Sequence, residues 1–450
     1  MAREEGRPLE RDSRRRGKGR VVRDPAGREE GGGGPHLPFP PPGLPRRARG
    51  KEGGSDGTGS RRDGARARGD PMRQATTEAP VPLLDLGLVH RQIADDLRRD
   101  FERVLASGQF ILGAEHDAFE RELAQACGVT QAVGLSSGTA AISIVLQALR
   151  IGAGDEVIVP AFTYFATASA VAQVGARPIF ADVEPVRFGL DPSSVESRVG
   201  TKTRAILPVH LYGLACDTKP LAAIADRHGI PLVEDAAQAI GASDRGRPVG
   251  KSTAGAALSF FPTKNLGALG DGGAYVTDDL ELAGRIRLLR AQGDAGDYRH
   301  TVLGTNARLD ALQAAFLRTK LRHLSEWIAM RRASADLYRA ALAGTPVTLP
   351  EEPEGAHHTY HQFTIRAPER DRLQQFLRER GVATRVYYPI PLHTQPAFDY
   401  LGHKAGDFPV SERLAREVLS LPIFPGISPE QIERVARAVR EFHGGGGGAR

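Results

Sequence analysis

The chain has 450 residues and a formal net charge of +6, from 60 basic and 54 acidic side chains. Residues 1–73 hold 19 of the basic and 11 of the acidic side chains, so the rest of the chain is slightly acidic. Outside residues 1–73 we therefore expect no basic surface that binds nucleic acid. The sequence contains no run of 18 apolar residues, so it predicts no membrane span. The two cysteines, Cys127 and Cys216, lack disulfide or zinc-site spacing. We therefore expect a cytoplasmic protein that binds no metal.

The first 78 residues differ in composition from the rest of the chain. Gly, Pro, Arg and Ser dominate them without apolar periodicity, so they bury too little apolar surface to offset the entropy of ordering. We expect residues 1–78 to be a disordered basic extension. It is either a variable segment or the result of a misassigned start codon, since Met72 could equally be the first residue. An arm that binds nucleic acid or a membrane is the alternative. Residues 444–450 are expected to be a flexible glycine-rich tail.

Predicted elements begin near residue 80. The segment HRQIADDLRRDFERVLASG predicts an amphipathic helix, with Ile93, Leu97, Phe101 and Leu105 at helical spacing. Short apolar runs and helical segments then alternate through QAVGLSSGTAAISIVLQALR, DEVIVPAF, TYFATASAVAQVG, RPIFADV, TRAILPVHLYG, DTKPLAAIADRHG and IPLVEDAAQ. This order predicts a mainly parallel, doubly wound sheet, which binds ligands at the carboxyl ends of its strands.

A long amphipathic helical stretch follows Thr305. Its apolar stripe comprises Leu309, Leu312, Phe316 and Leu324. Beyond it, HTYHQFTIRA, DRLQQFLRERG and ATRVYYPIP predict a strand, a helix and a strand. We therefore expect an α/β fold with a large domain over residues 79–328 and a smaller C-terminal α+β domain over residues 329–443.

Two motifs at strand ends suggest a binding site. In SSGTAA, Gly138 begins a helix after a strand, and such a helix start can bind an anion with its free N–H groups, although a simple helix cap is the alternative. In VEDAAQ, Glu234 and Asp235 end a strand and point to opposite faces, so only one of them can face a site. We choose Asp235, whose alternative role is to cap the next helix.

A single lysine, Lys264, follows the apolar run ALSFF and precedes the glycine-rich segment GALGDGG. Most lysines lie on the surface, but one held at a strand end in a pocket can have a lowered pKa and attack carbonyl groups. Together with the helix start, the carboxylate and the aromatic segment FTYFAT, it meets the requirements of pyridoxal phosphate. That cofactor needs a lysine for its aldehyde, an acid at its ring nitrogen, a stacking aromatic and a phosphate site.

These motifs and others occur in the order typical of one family. They are SGQFILG, GLSSGTAA, VIVPAFTYFATASAV, ILPVHLYG, VEDAAQAIGA, SFFPTKNLGALGDGGAYVTDD, GTNARLDALQAA, YYPIPLH and LSLPIFP. The chain from about residue 81 to 440 resembles the DegT/DnrJ/StrS family of nucleotide-sugar aminotransferases. This resemblance implies the pyridoxal-phosphate-dependent transferase fold of type I, as in aspartate aminotransferase. It also implies a homodimer with its active sites shared at the subunit interface.

The resemblance implies roles for individual residues. Lys264 would form the Schiff base and shuttle the proton, and Asp235 would contact the pyridinium nitrogen. Further cofactor contacts are implied for Gly138, Thr139 and Ser259 at the phosphate, Tyr164 stacked on the ring, Gln238 near the ring hydroxyl, and Asn306 reaching the phosphate from the neighbouring subunit. The residue pattern alone would assign Asn306 to a helix N-cap.

The substrates follow from the same resemblance. It implies transfer of an amino group from L-glutamate to the keto group of a nucleotide-linked sugar, giving an amino sugar for polysaccharide or glycoside synthesis. Relatives that dehydrate sugars carry histidine in place of the lysine, so Lys264 favours transamination. Many members have His-Tyr-Pro near the sugar where this chain has Tyr387, Tyr388 and Pro389. The nucleotide and the keto position, C3 or C4, therefore stay open.

Three alternatives remain beside this interpretation. One is a lyase of the same fold that uses pyridoxal phosphate, and a second is a desulfurase, against which the lack of a cysteine on a glycine-rich loop argues. The third is a regulatory protein that retains the fold and touches DNA with its basic arm. A visible absorbance band from cofactor bound to lysine would distinguish a catalyst from a regulator without cofactor.

Overall fold

The computed structural model describes residues 79–251 and 254–444. The predicted disordered extension (1–78) and all but the first residue of the predicted tail lie outside them. The α-helices of the described residues are α1 (Leu86–Gln92), α2 (Ala94–Ser107), α3 (Ala114–Cys127), α4 (Gly138–Ala148), α5 (Phe165–Gln173), α6 (Pro192–Glu196), α7 (Thr218–His228), α8 (Leu280–Arg290), α9 (Ala311–Leu321), α10 (Leu324–Leu342), α11 (Arg370–Glu379), α12 (Pro409–Glu417) and α13 (Pro429–Gly444). The strands are β1 (Gln131–Leu135), β2 (Glu156–Pro160), β3 (Arg177–Ala181), β4 (Thr203–Ile206), β5 (Val233–Asp235), β6 (Ser243–Asp244), β7 (Arg247–Pro248), β8 (Gly255–Ser259), β9 (Gly273–Thr277), β10 (Ala356–His357), β11 (Phe363–Arg366) and β12 (Val418–Leu421).

The largest sheet has the order β1-β9-β8-β5-β4-β2-β3. Two parallel bridges, Ile206 to Leu232 and Val209 to Asp235, join its two halves. Strand β9 runs antiparallel to both of its neighbours, and the other pairs are parallel. This mainly parallel sheet confirms the predicted α/β fold.

Helices cover both faces of this sheet. Alternate residues of a strand point to opposite faces, so Ala256 packs in the cluster that contains Phe119 of α3 and Leu317 of α9. The next residue, Ala257, packs in the cluster that contains Ile142 of α4. Because the helices cover the two faces, the carboxyl ends of the parallel strands remain uncovered at one edge of the sheet, where a ligand can bind.

Two predicted helices are each divided in the structure. The first has a break at Ile93, whose φ of −117° and ψ of 16° end α1 before α2 begins. Its stripe divides as well, because Ile93 and Leu97 are buried while Phe101 and Leu105 are 46% and 56% exposed. The long stretch after Thr305 contains α9 and α10, which are separated at residues 322–323.

The C-terminal part contains a small antiparallel sheet of β11 and β12 packed beneath α10, α11 and α13. The strand predicted in ATRVYYPIP is wrong. In that segment a single bridge joins Arg385 to Ser420, and Pro389 and Pro391 have no N–H group to extend a ladder. The domain boundary at residues 328 and 329 stays a prediction, and α10 runs across it. Among the described residues, no helix is both long enough and apolar enough to cross a membrane.

Candidate active site

The start of helix α4 and the end of strand β8 meet closely. A Cβ atom on Gly138 would lie 2.8 Å from Cβ of Ser259, and one on Gly273 would lie 2.6 Å from the Gly138 nitrogen. The glycines therefore permit backbone contact that larger residues would prevent. Ser137 caps the helix by accepting from the Ala140 N–H at 3.1 Å. The N–H groups of Gly138 and Thr139 have no acceptor among the described residues, so they remain available to an anion.

Asp235 lies at the carboxyl end of β5, 5% exposed. Its carboxylate accepts hydrogen bonds from the Thr167 hydroxyl at 2.8 Å and the Ala237 N–H at 3.1 Å. Burial raises the pKa of Asp235, and these bonds and the charge of Lys264 oppose that rise. The neighbouring Glu234 instead contacts His210 Nε2 at 3.0 Å. The two carboxylates thus point to opposite sides of the strand, and Asp235 is the one near the lysine.

Lys264 lies in a tight turn after β8. Its backbone N–H donates to the Phe261 carbonyl at 2.8 Å, and the next side chain, Asn265, donates to the Thr359 carbonyl at 3.0 Å. Burial lowers the pKa of Lys264 to about 8, although the negative charge of Asp235 opposes this. A larger fraction of this amine is therefore neutral near physiological pH than for an exposed lysine, and the neutral form is both the nucleophile and the base.

Gln238, Tyr388 and Tyr164 form the next part of the site. The Oε1 atom of Gln238 accepts from the Tyr212 N–H at 2.7 Å, which fixes the amide so that Nε2 donates to the Tyr388 hydroxyl at 3.0 Å. The rings of Tyr388 and Tyr164 have centroids 5.7 Å apart. Tyr164 is 56% exposed, so its ring face is accessible to a flat ligand.

Asn306 is the predicted site residue that the structure does not bring into this group. It is exposed and forms an antiparallel bridge with Ala291. It is not a helix N-cap, because the N-cap position of α9 is Asp310. Within a single subunit its side chain therefore has no assigned role.

Sequence reasoning missed three neighbours of the site. Thr167 lies one helical turn after Tyr164 in FTYFAT, so helical spacing could have placed it there. Tyr212, which holds Gln238, and His361 carry no such signal. His361 comes from the C-terminal part of the chain, where its Nδ1 atom is buried without a partner among the described residues. Burial and the nearby charge of Lys264 lower the pKa of His361 well below its usual range.

The described residues fit pyridoxal phosphate. The free N–H groups at the start of α4 suit its phosphate, the Asp235 carboxylate suits its ring nitrogen, and the amine of Lys264 suits its aldehyde. The close packing of Gly138 on Ser259 brings these N–H groups next to strand β8, which leads to the lysine turn. No group of three or more His, Cys, Asp or Glu side chains in residues 79–251 and 254–444 is arranged to hold a metal ion.

Comparison with known proteins decides the family. The sequence profile of the DegT/DnrJ/EryC1/StrS aminotransferase family matches residues 91–440. The chain belongs to this family. It is a pyridoxal-phosphate-dependent aminotransferase, so the enzyme class, cofactor and fold class predicted from its motifs are confirmed.

Relatives with assigned names differ in what they are said to do. The chain is 50% identical to the erythromycin biosynthesis sensory transduction protein EryC1 of Saccharopolyspora erythraea, over 80% of this chain and 99% of that protein. It is 46% identical to dTDP-3-amino-3,4,6-trideoxy-alpha-D-glucose transaminase of Streptomyces venezuelae, over 80% and 96%. It is 44% identical to a UDP-N-acetyl-3-dehydro-alpha-D-glucosamine 3-aminotransferase of Acidithiobacillus ferrooxidans, over 82% and 100%.

A solved structure has the same fold as this enzyme. The crystal structure of DesV from S. venezuelae, in complex with a ketimine intermediate, superposes with a TM-score of 0.80 at 45% identity. The match covers 81% of this chain and 99% of DesV, so the similarity extends over both the sheet and the C-terminal part.

Proposed function

We propose that this aminotransferase moves an amino group from L-glutamate to the C3 keto group of a sugar linked to a pyrimidine nucleoside diphosphate. The placement of Lys264 within reach of the charge of Asp235, at the carboxyl ends of the strands and near the free N–H groups of Gly138 and Thr139, carries the proposal. Two relatives support both details. One is named for a 3-dehydro sugar on UDP and the other for a 3-amino sugar on dTDP, so both names point to C3 and to a pyrimidine nucleotide.

Each residue has one task in this proposal. Bound pyridoxal phosphate supplies an electron sink that stabilises negative charge at the reacting carbon. Asp235 holds the proton on the ring nitrogen, and Gln238 orients the ring from its hydroxyl side. Gly138, Thr139 and Ser259 bind the phosphate, while Tyr164 stacks on the ring face. Lys264 takes the proton from Cα of glutamate, delivers it to C4′ of the cofactor, and reverses both transfers for the keto sugar.

We also propose a homodimer in which Asn306 completes the partner's phosphate site. A surface around the start of α9 exposes apolar side chains, which are Phe101 and Leu105 of α2, Phe110, Ile111 and Leu269. These elements adjoin, since the Ala311 N–H donates to the Phe110 carbonyl and Gln313 accepts from the Leu269 N–H. A second copy of the chain would remove this apolar area from water.

The place of the enzyme follows from its chemistry. The amino sugar would enter polysaccharide or glycoside synthesis in the cytoplasm, after a reaction that oxidises the sugar and before one that transfers it.

A panel of nucleotide-linked keto sugars tests the substrate. Purified enzyme is incubated with L-glutamate and either 3-keto or 4-keto sugars on dTDP, UDP or GDP, and products are read by mass spectrometry. We expect amino-sugar product from 3-keto dTDP or UDP sugars and none from the Lys264→Ala control. Product from 4-keto sugars alone would overturn the C3 assignment, and no product with any sugar would overturn the substrate class.

A regulatory role is the second candidate, because a relative at 50% identity is named for sensory transduction. The same purified protein distinguishes the two functions. A visible absorbance band from bound cofactor that changes when glutamate is added supports catalysis. Protein that binds no cofactor would instead support regulation.

A further inference from the structure

A second lysine lies buried behind the turn that carries Lys264. Lys320, in the last turn of α9, is 3% exposed. Its Nζ atom donates to the carbonyl oxygen of Gly267 at 2.6 Å and lies 2.9 Å from Nε2 of His90 on α1. No carboxylate among the described residues compensates its charge. A buried lysine without an acidic partner is unfavourable for folding, so the burial of Lys320 suggests that this residue has a functional role.

The turn itself is closed at its base. A Cβ atom on Gly267 would lie 2.3 Å from the carbonyl oxygen of Pro262, so the backbone at these two residues is in contact. Lys264 lies between them in the chain. The Ala268 N–H also donates to the Phe260 carbonyl at 2.7 Å. Lys320 is therefore bonded to the base of the loop that presents Lys264, from the side of helix α9.

We propose that Lys320 is a positioning residue whose ammonium group, bonded to Gly267 and His90, holds this closed turn so that the amine of Lys264 stays at the reacting carbon. The inference rests on the proposed role of Lys264. An error of about 1 Å in the position of a reacting group can reduce a rate by roughly a hundredfold, so rigid support of this turn has a direct effect on catalysis.

The charges around Lys320 agree with this arrangement. Burial lowers the pKa of Lys320 to about 8, which leaves the group mostly protonated at neutral pH and able to donate. Burial and the nearby ammonium lower the pKa of His90, so its imidazole is neutral and can accept at Nε2. A charged donor binds a carbonyl oxygen more strongly than a neutral donor does.

Lys320→Met tests the proposal, since methionine is similar in length and cannot donate. Backbone hydrogen exchange is measured in cofactor-free protein, and the half-reaction with glutamate is measured in single turnover. We expect exchange of residues 260–269 to become about tenfold faster and the half-reaction about tenfold slower, while glutamate affinity changes less than about threefold. Exchange of β2 and β3 should not change.

Arg318→Met is the matched control on the same helix. Arg318 pairs with Glu115 and Glu122 on α3, so its loss reduces stability without touching the turn. We expect unchanged exchange at residues 260–269 and a half-reaction within about twofold of wild type. An equal rate loss in both variants, or unchanged exchange in Lys320→Met, would overturn the proposal. Because exchange is read without substrate, faster exchange in an enzyme that rejects every sugar would refute the proposed substrate but not the positioning role.

If Lys320→Met does not fold, His90→Leu tests the positioning role of Lys320 instead. This change removes one acceptor and keeps the bond between Lys320 and Gly267. We expect an intermediate increase in exchange at the turn, about threefold, because the ammonium group loses one of its two anchors. Exchange at the wild-type rate would overturn the proposal.

Discussion

At the scale of single residues, environment gives ordinary side chains their chemistry. Lys264 is partly buried and Lys320 is 3% exposed, and burial lowers the pKa of both to about 8, yet only Lys264 interacts with the carboxylate of Asp235. Asp235 and Glu234 are adjacent in sequence and differ in their partners, Thr167 for one and His210 for the other. The proposed catalytic groups therefore differ from the structural ones in the residues that they contact and in the strand face on which they lie, and not in residue type.

The pKa of Lys264 predicts how cofactor uptake depends on pH. The attacking amine must be neutral, and an amine is neutral above its pKa, so the rate should rise with pH up to about 8 and then level off. An exposed lysine would level off only near pH 10.5. Stopped-flow absorbance of cofactor-free protein mixed with pyridoxal phosphate measures the rate. A continued rise beyond pH 9.5 would contradict the lowered pKa.

Asp235→Asn should slow removal of the proton from Cα of glutamate. Asparagine has nearly the same size and can keep a hydrogen bond to Thr167, but it has no negative charge to hold the proton on the cofactor ring. We expect the cofactor still to bind and the half-reaction to slow by about a hundredfold or more. If Asp235 only caps a helix, asparagine would cap equally well and the rate would change little.

Glu234→Gln is the control for this change. It alters the adjacent carboxylate on the other side of the strand, where Glu234 contacts His210. We expect a half-reaction close to wild type and a lower stability, because the buried pair of Glu234 and His210 is lost. Similar rate losses in both variants would show that the two carboxylates act on the site together.

At the scale of elements, the proposed phosphate site depends on the contact between the start of α4 and the end of β8. The helix provides N–H groups and the positive end of its dipole, and the strand provides Ser259. Gly273 on β9 allows the loop at Ser137 to approach. The elements come from distant parts of the chain, so the site forms only when the sheet order is complete.

Gly138→Ala should weaken cofactor binding. The new Cβ atom would lie 2.8 Å from Cβ of Ser259, so helix and strand must separate by several tenths of an ångström. We expect cofactor affinity to fall by about tenfold, since charge-assisted bonds to the phosphate are sensitive to distance. Fluorescence titration measures the dissociation constant.

Gly284→Ala is the matched control. Gly284 is an exposed residue within α8, and a Cβ atom there meets no atom within 4 Å. Alanine in a helix interior should raise stability by about 0.5–1 kcal/mol and leave cofactor affinity unchanged. Equal affinity losses in the two variants would disprove a specific role for the glycine at the start of α4.

At the scale of the whole molecule, a single subunit leaves a partly apolar surface and the side chain of Asn306 exposed to solvent. Phe101 and Leu105 continue the stripe of α2 beyond the part that the subunit itself buries. Asn306 follows a loop in which Tyr298 and Leu303 are 91% and 99% exposed. Both features favour the proposed homodimer with shared sites.

Coexpression of Lys264→Ala chains with Asn306→Ala chains tests the shared site. If Asn306 acts in the partner's site, a mixed dimer contains one site with both changes and one unchanged site. Random pairing should then restore about a quarter of wild-type activity, although each variant alone is impaired. No restoration in isolated mixed dimers, or full activity of Asn306→Ala alone, would contradict the role of Asn306 across the interface.

The sequence by itself determined the family, the cofactor and the alternation of strands and helices from β1 to β5, because these depend on local motifs such as SSGTAA, VEDAAQ and the segment around Lys264. The tertiary structure decided which residues meet. It gave Asp235 and Glu234 their different partners, brought Tyr212 and His361 beside the site, and divided the predicted helix at Ile93. Such contacts depend on strand order and packing over long separations in the chain, which periodicity and spacing do not encode.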